Sequence, residues 1–166
     1  MNKNIALIGF MGSGKSMIAR ELGKRLKRDV VATDDLLESR ERQTIDEIFK
    51  SKGEAYFRGL ESEIIKEVSQ RRGIIIDCGG GAVLHKENLQ ELKVNGIIFY
   101  LQATPEVIYR RIKNEGHRPL LEAPDPLGCI KELYQQRLPL YNQADYTIDA
   151  NDASIEGPVV EILKKI

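Results

Sequence analysis

An α/β fold built on a five-stranded parallel sheet flanked by helices is predicted by three features of this sequence. Short apolar runs recur along the chain, segments of helical period separate them, and the first run leads through a glycine-rich octapeptide straight into an amphipathic stretch.

The runs are Ile5 to Ile8, Val30 to Ala32, Ile74 to Ile76, Ile97 to Leu101 and Tyr146 to Ile148. Each is short and lacks a strict polar alternation, which suits strands covered by helices on both faces. After the first run, Ile18, Leu22 and Leu26 recur at four-residue spacing. Farther on, Phe57, Leu60, Ile64 and Val68 form a second stripe, and both stripes need a sheet face to cover. Thr44 with Glu47 fits a capping box, in which the threonine side chain and the glutamate three residues later each satisfy the other's backbone N–H. Thr104-Pro105 fits an N-cap followed by proline in the first turn, where no N–H is needed. Leu127, Ile130, Leu133, Arg137 and Tyr141 share the face of a later helix. The stretch Asn114 to Pro126 holds three prolines, a glycine and charges without periodicity, and reads as a mobile loop.

With 166 residues the chain fits a single domain, 1–166. Lys+Arg and Asp+Glu are equal at 25 each, so no global field favours a nucleic-acid backbone or an anionic membrane, and anion recognition must be local. Cys78 and Cys129 have neither disulfide-framework nor zinc spacing, which suits a reducing compartment. The segment MNKNIALIGFMGSGKS puts charge and glycine where a signal peptide needs an uninterrupted apolar stretch, and no run approaches a membrane span. A cytoplasmic monomer without nucleic-acid or membrane partners is expected.

Residues 9–16, GFMGSGKS, match G-x-x-x-x-G-K-[ST] between a strand and a helix. That context gives the motif its mechanism: glycines let successive N–H groups point inward, and these amides with the helix N-terminus cradle the β-phosphate. Lys15 adds a charge between β- and γ-phosphates, and the Ser16 hydroxyl can ligate Mg2+. A phosphate loop alone does not separate small-molecule kinases from switch GTPases or nucleotide-binding regulators. Asp77-Cys-Gly-Gly80 superficially resembles a γ-phosphate-sensing Asp-x-x-Gly, but no guanine-reading Asn-Lys-x-Asp follows. From the residues alone, a carboxylate at a strand end and arginines from two helices can converge beside the loop on a ligand bearing hydroxyls and a carboxylate.

Taken together, GFMGSGKS at 9–16, Asp34, GEAYFR at 53–58, Gly79-Gly80-Gly81, RPLL at 118–121 and RLPLY at 137–141 resemble the shikimate kinase family in order and spacing. The resemblance implies a nucleoside-monophosphate-kinase-like fold with a lid near 114–126, a substrate-binding region near 34–61, and transfer of the ATP γ-phosphate to the 3-hydroxyl of shikimate. It implies that Asp34 orients the reacting hydroxyl, that Arg58 and Arg137 clamp the substrate carboxylate, and that Gly79, Gly80 and Gly81 let the backbone approach it. Arg118 is implied as the lid arginine that acts on the transferred phosphate, with Lys15 and Asp34 completing the catalytic set. ATP would lie on Gly12, Ser13, Gly14, Lys15, Ser16 and Met17, with its adenine between Arg111 and the loop Asn151 to Ile155, Ser154 included.

Alternative readings are a cap before Leu36 for Asp34, a role that adjacent Asp35 fits better, and surface pairing for Arg58 and Arg137. A kinase of gluconate or of a nucleotide, or a non-catalytic nucleotide-binding regulator, are the competing functions. His85 and His117 have no nucleophile partner and read as incidental. One departure stands out: many family members carry Asp-x-Asp after the second strand, where this chain has Ala32-Thr33-Asp34. Asp77 stands where the family more often has serine or threonine, and is the candidate, with Ser16, for the magnesium shell.

Overall fold

The computed structural model describes residues 2–116 and 118–166; Met1 and His117 lie outside the described residues. Five strands form one parallel sheet in the order β2-β3-β1-β4-β5: β1 (Asn4–Ile8), β2 (Val30–Ala32), β3 (Ile75–Asp77), β4 (Gly96–Gln102) and β5 (Tyr146–Asp149). The seven α-helices among the described residues are α1 (Lys15–Leu26), α2 (Thr33–Glu41), α3 (Ile45–Ser69), α4 (Lys86–Asn95), α5 (Pro105–Ile112), α6 (Pro126–Tyr141) and α7 (Glu156–Leu163).

Strand β1 is central, and every one of its residues is buried. Its side chains alternate between two cores: Ile5 and Leu7 pack with Ile18 and Leu22 of α1 and Val159 of α7, while Ala6 and Ile8 pack with Ile64 of α3, Leu89 of α4 and Tyr141 of α6. This two-sided coverage is why β1 reads as an unbroken apolar run. The third strand starts and ends one residue later than its apolar run, so that Asp77 joins the sheet opposite Ala32 of β2 and Leu7 of β1. A carboxylate is thereby fixed at the C-terminal edge, where ligands of open α/β sheets bind.

The capping box at Thr44 forms as expected: Glu47 N donates to Thr44 Oγ1 at 3.2 Å and Thr44 N donates to Glu47 Oε2 at 2.8 Å. Thr104 caps α5 with Pro105 in the first turn. Asp35 does not cap α2. The helix begins earlier, at Thr33, directly from β2, with Ala32 at the N-cap position and no side-chain cap. Asp34 and Asp35 both fall inside the first turn, where they face the positive end of the helix dipole. The stretch 114–126 is not wholly irregular either, since Pro119–Glu122 forms a 3-10 turn and Asp125 caps α6 through the Gly128 N–H.

Helix α3 bends at Gly53, whose φ of 83° and ψ of 169° are non-helical. A Cβ there would meet nothing within 4 Å, so the backbone conformation, not crowding, selects glycine. The bend is braced from outside: Glu41 accepts from Lys52 Nζ at 2.5 Å and from Tyr56 Oη at 3.0 Å, one donor on each side of it. Gly53→Ala is therefore expected to lower stability by about 1–3 kcal/mol without loss of packing, as strain of this kind predicts. Urea unfolding checks this, the midpoint falling while the slope stays constant.

Candidate active site

Three connected clefts run along the C-terminal edge of the sheet. The middle one, about 490 Å³, is walled by the 9–16 loop, the ends of β2 and β3 and Arg118. Beside it a cleft of about 600 Å³ is walled by α3, by Gly80 and Gly81, and by Arg118 and Arg137; the two share Met11, Asp34, Gly80 and Arg118. On the other flank, a pocket of about 80 Å³ lies between Gly14, Met17, Arg111 and residues 150–155.

The loop begins at Gly9 and turns through Gly12 and Gly14, whose φ values of 75° and 90° lie in the left-handed region. Gly14 thus serves as N-cap of α1. Lys15 is buried and its ammonium donates to the Gly9 carbonyl at 2.8 Å and the Phe10 carbonyl at 3.1 Å, curling over the loop instead of reaching into solvent. Ser16 Oγ donates to Asp77 Oδ2 at 2.6 Å, which links α1 to β3. Buried Thr33 ties β3 to α2: its hydroxyl accepts from Gly79 N at 3.0 Å and donates to the Asp77 carbonyl at 3.4 Å.

In the larger cleft, Arg58 and Glu61 lie on one face of α3 and pair at 2.8 Å. Arg137, on α6, is buried; its Nη1 donates to the Gly80 carbonyl at 3.3 Å and its guanidinium lies 5.6 Å from the Phe10 ring centre. Among the described residues no carboxylate pairs with Arg137, and neither its Nε nor that of Arg58 has a hydrogen-bond partner. A buried guanidinium without a counter-ion is costly unless an anion arrives to meet it. The triple glycine gives way first to the protein's own side chains. A Cβ at Gly79 would lie 2.5 Å from Asp34 Oδ1, and one at Gly81 would collide with the Arg58 guanidinium. Arg111 is not on a solvated helix face. It donates to the carbonyls of Gly12 (3.2 Å), Ala150 (2.7 Å), Asn151 (3.2 Å) and Asp152 (2.8 Å), fastening the 150–155 loop to the phosphate loop. In that loop Ser154 Oγ accepts from Glu156 N at 3.2 Å. Arg118 pairs with Glu115 near the surface.

The family model described as shikimate kinase matches residues 11–166. The chain belongs to the shikimate kinase family. It is 42% identical to the shikimate kinase of Thermodesulfovibrio yellowstonii over 98% of this chain and 94% of that protein. The structure of shikimate kinase from Acinetobacter baumannii in complex with shikimate superposes with a TM-score of 0.93 at 33% identity, covering 99% of this chain and 93% of that one. Shikimate kinase from Aquifex aeolicus superposes with a TM-score of 0.85 at 37% identity, covering 97% and 94%.

Within this shikimate kinase fold, the residues expected from the sequence sort cleanly among the clefts. Lys15, Ser16 and Asp77 line the middle one, Arg58, Gly81 and Arg137 the larger, and Asp34, Gly80 and Arg118 both. Glu61 was not among them. It is buried, and an acid three residues after Arg58 is legible as a helix-face partner, yet its burial depends on Gly79 and is not.

Desolvation governs the charges. Burial and the nearby Glu61 carboxylate push Asp34 up to about 6, against the pull of Lys15. Glu61 is raised as well, burial outweighing its ion pair with Arg58. Asp77 is raised by burial, with the Ser16 bond and Lys15 opposing. Burial lowers the Lys15 ammonium, opposed by Asp77 and then Asp34. Burial also pushes the Cys78 thiol far above its ordinary range, so it is no nucleophile.

For Asp34 the folded value lies above the ordinary 3.8, so the folded protein keeps a proton that the unfolded chain releases between those two values. Stability contributed by this group is present below the lower value and is lost as pH rises through the higher. Asp34→Asn is therefore expected to resist urea better than the parent at pH 8, the advantage shrinking toward pH 4 by on the order of 1–2 kcal/mol, less than the full shift because the group is only partly buried. Parallel urea titrations at the two pH values measure this, and an advantage that grows on acidification contradicts it.

Proposed function

We propose that this protein transfers the γ-phosphoryl group of ATP to the 3-hydroxyl of shikimate. The observation that carries this reading is the meeting of two clefts at Asp34, one built around a phosphate loop and the other around Arg137, a buried guanidinium with no carboxylate partner among the described residues. Phosphates on one side and a carboxylate on the other supply the anions that Lys15 and Arg137 lack.

In this mechanism the β- and γ-phosphates draw Lys15 Nζ from the Gly9 and Phe10 carbonyls and meet the loop amides of Gly12 to Ser16. Adenine occupies the small pocket bounded by Met17, Arg111 and Ser154, where Arg111 keeps the loop in place. Arg58 and Arg137 hold the substrate carboxylate through their fork geometry, which fixes the ring so that its 3-hydroxyl faces Asp34. Asp34 accepts the hydroxyl proton as the oxygen attacks in line, and its raised pKa makes it a better proton acceptor near neutrality than an ordinary aspartate. Residues 114–126 act as the lid, bringing Arg118 from Glu115 onto the phosphoryl oxygens. The enzyme works as a cytoplasmic monomer; no helix among the described residues is long and apolar enough to cross a membrane.

Magnesium fits this site. Among the described residues no group of three or more His, Cys, Asp or Glu side chains could hold a metal by itself, so the ion would arrive on the nucleotide. Ser16 and Asp77, joined at 2.6 Å beside the phosphate cleft, offer one hydroxyl ligand and one carboxylate for the outer shell. The ion supplies neutralisation of charge between the β- and γ-phosphates. Because Ala32 and Asp77 are register partners on adjacent strands, Asp77 supplies a carboxylate to the same strand-end position from one strand farther in.

A coupled ADP-release assay over shikimate, gluconate and nucleoside monophosphates tests the assignment. Turnover is expected on shikimate alone, with kcat/KM falling on acidification through about pH 6 as Asp34 takes up its proton. Turnover of gluconate or a nucleotide with none on shikimate overturns it. For the metal, Asp77→Asn is expected to raise the Mg2+ concentration needed for half-maximal rate and to weaken Mg2+-dependent ATP binding by calorimetry, with ATP binding in the absence of metal unchanged. Magnesium titrations that overlay those of the parent remove Asp77 from the metal shell.

A further inference from the structure

The Gly80 carbonyl is a shared acceptor in the larger cleft. It points toward α6 and takes two donors: Tyr141 Oη at 2.7 Å and Arg137 Nη1 at 3.3 Å. The first has the usual length of an O–H···O bond and the second lies just beyond the usual N–H···O range, so the tyrosine is the stronger partner. Gly80 itself packs beside the phosphate loop at ordinary contact distance, a Cβ on it lying 3.4 Å from Met11 N and 3.8 Å from the Gly9 carbonyl oxygen.

Tyr141 is fixed by burial and stacking. Its ring is fully buried and stacks on Tyr100 with centroids 4.9 Å apart and planes 6° apart, and Tyr100 in turn donates its hydroxyl to Tyr134 at 3.2 Å. Burial pushes the Tyr141 phenol up to about 12, so it keeps its proton throughout the working range. Arg137 stands one helical turn before Tyr141 on α6 and shares its acceptor. Among the described residues its Nε is without a partner, and its side chain lines the cleft.

We infer that Tyr141 is a positioning residue that holds the Gly80 carbonyl so that Arg137 can leave it for an incoming carboxylate. This rests on the clamp assigned to Arg137 under the proposed function. In the free protein Arg137 needs some acceptor for a buried charge, and the Gly80 carbonyl provides one. When the substrate carboxylate arrives, a guanidinium that gives up this bond would strand a buried acceptor, at a cost of about 1–3 kcal/mol. The tyrosine hydroxyl removes that penalty because the carbonyl stays paired throughout the exchange. The spacing does the rest: residues i and i+4 on one helix reach the same acceptor from adjacent turns.

The test is a double-mutant cycle on the full-length protein, with shikimate and ATP affinities measured by calorimetry and kcat and KM by ADP release. Tyr141→Phe keeps the ring and its stacking on Tyr100 and removes only the hydroxyl. It is expected to raise the shikimate Kd and KM about tenfold, as a stranded acceptor predicts, with kcat within about twofold and ATP affinity unchanged. In an Arg137→Ala background the same change is expected to alter shikimate affinity by less than about twofold, since no guanidinium is left to release. A purely structural tyrosine would instead lower Tm and weaken both ligands in either background. Multiplicative effects of the two substitutions, or a Tyr141→Phe protein that binds shikimate as the parent does, overturn the inference while leaving the proposed function intact. A parent protein that does not bind shikimate overturns both.

Discussion

Charge held out of water is the constraint on which the site depends. Lys15, Arg137, Glu61 and Asp77 are buried, and Asp34 and Arg58 are partly so, around a turn of three glycines. Each ion would be costly alone at that depth. The protein meets the demand with short, specific partnerships: Ser16 on Asp77, Arg58 on Glu61, loop carbonyls on Lys15. These partnerships are incomplete: Arg58 Nε, Glu61 Oε2 and Arg137 Nε have no hydrogen-bond partner among the described residues, and all three side chains line the larger cleft. The same desolvation raises the Asp34 carboxyl, with Glu61 adding to it and Lys15 opposing.

The fold stands behind this arrangement through register. Pairing of β3 between β1 and β2 sets Asp77 at the sheet edge beside Ala32, and brings the glycine turn that follows against the phosphate loop. Thr33 then locks the level of the turn by bonding both Asp77 O and Gly79 N. Helix α3, bent at Gly53, carries Phe49 before the bend and Phe57 and Arg58 after it, and the two rings meet at 4.6 Å across it. On a straight helix Phe49 and Phe57 would stand about 12 Å apart along the axis.

What was legible in the sequence was whatever depends on neighbours along the chain. The five strands, the phosphate loop, the Thr44 box and the Thr104 cap all follow from local spacing, and the family from the order of motifs. Local reasoning erred where a tertiary contact competes. Asp35 looks like a helix cap, but β2 runs straight into α2 because Thr33 is engaged by β3, which starts the helix before the aspartates. Glu61 looks like one more helical acid; only folding shows that Gly79 leaves it room. Arg111 is expected beside the loop Asn151 to Ile155, but the four carbonyls from two distant loops that it meets cannot be seen to converge from the sequence. The gap in each case is long-range contact, not propensity.

The place of β1 at the centre of the sheet bears on how the chain reaches this structure. It is synthesised before both strands it pairs with, Ile5 to Leu7 lying against Ile75 to Asp77 on one side and Asn4 to Ile8 against Gly96 to Tyr100 on the other. Until both partners have left the ribosome, an apolar strand with two open edges has nothing native to bind. Such non-local parallel pairing is slow to form and exposed to aggregation while it waits. The helix directly after it, α1, offers the one cover available early, shielding Ile5 and Leu7 with Ile18 and Leu22. The amphipathic helix that follows the glycine-rich loop is thus the nearest element along the chain able to cover that strand's apolar face.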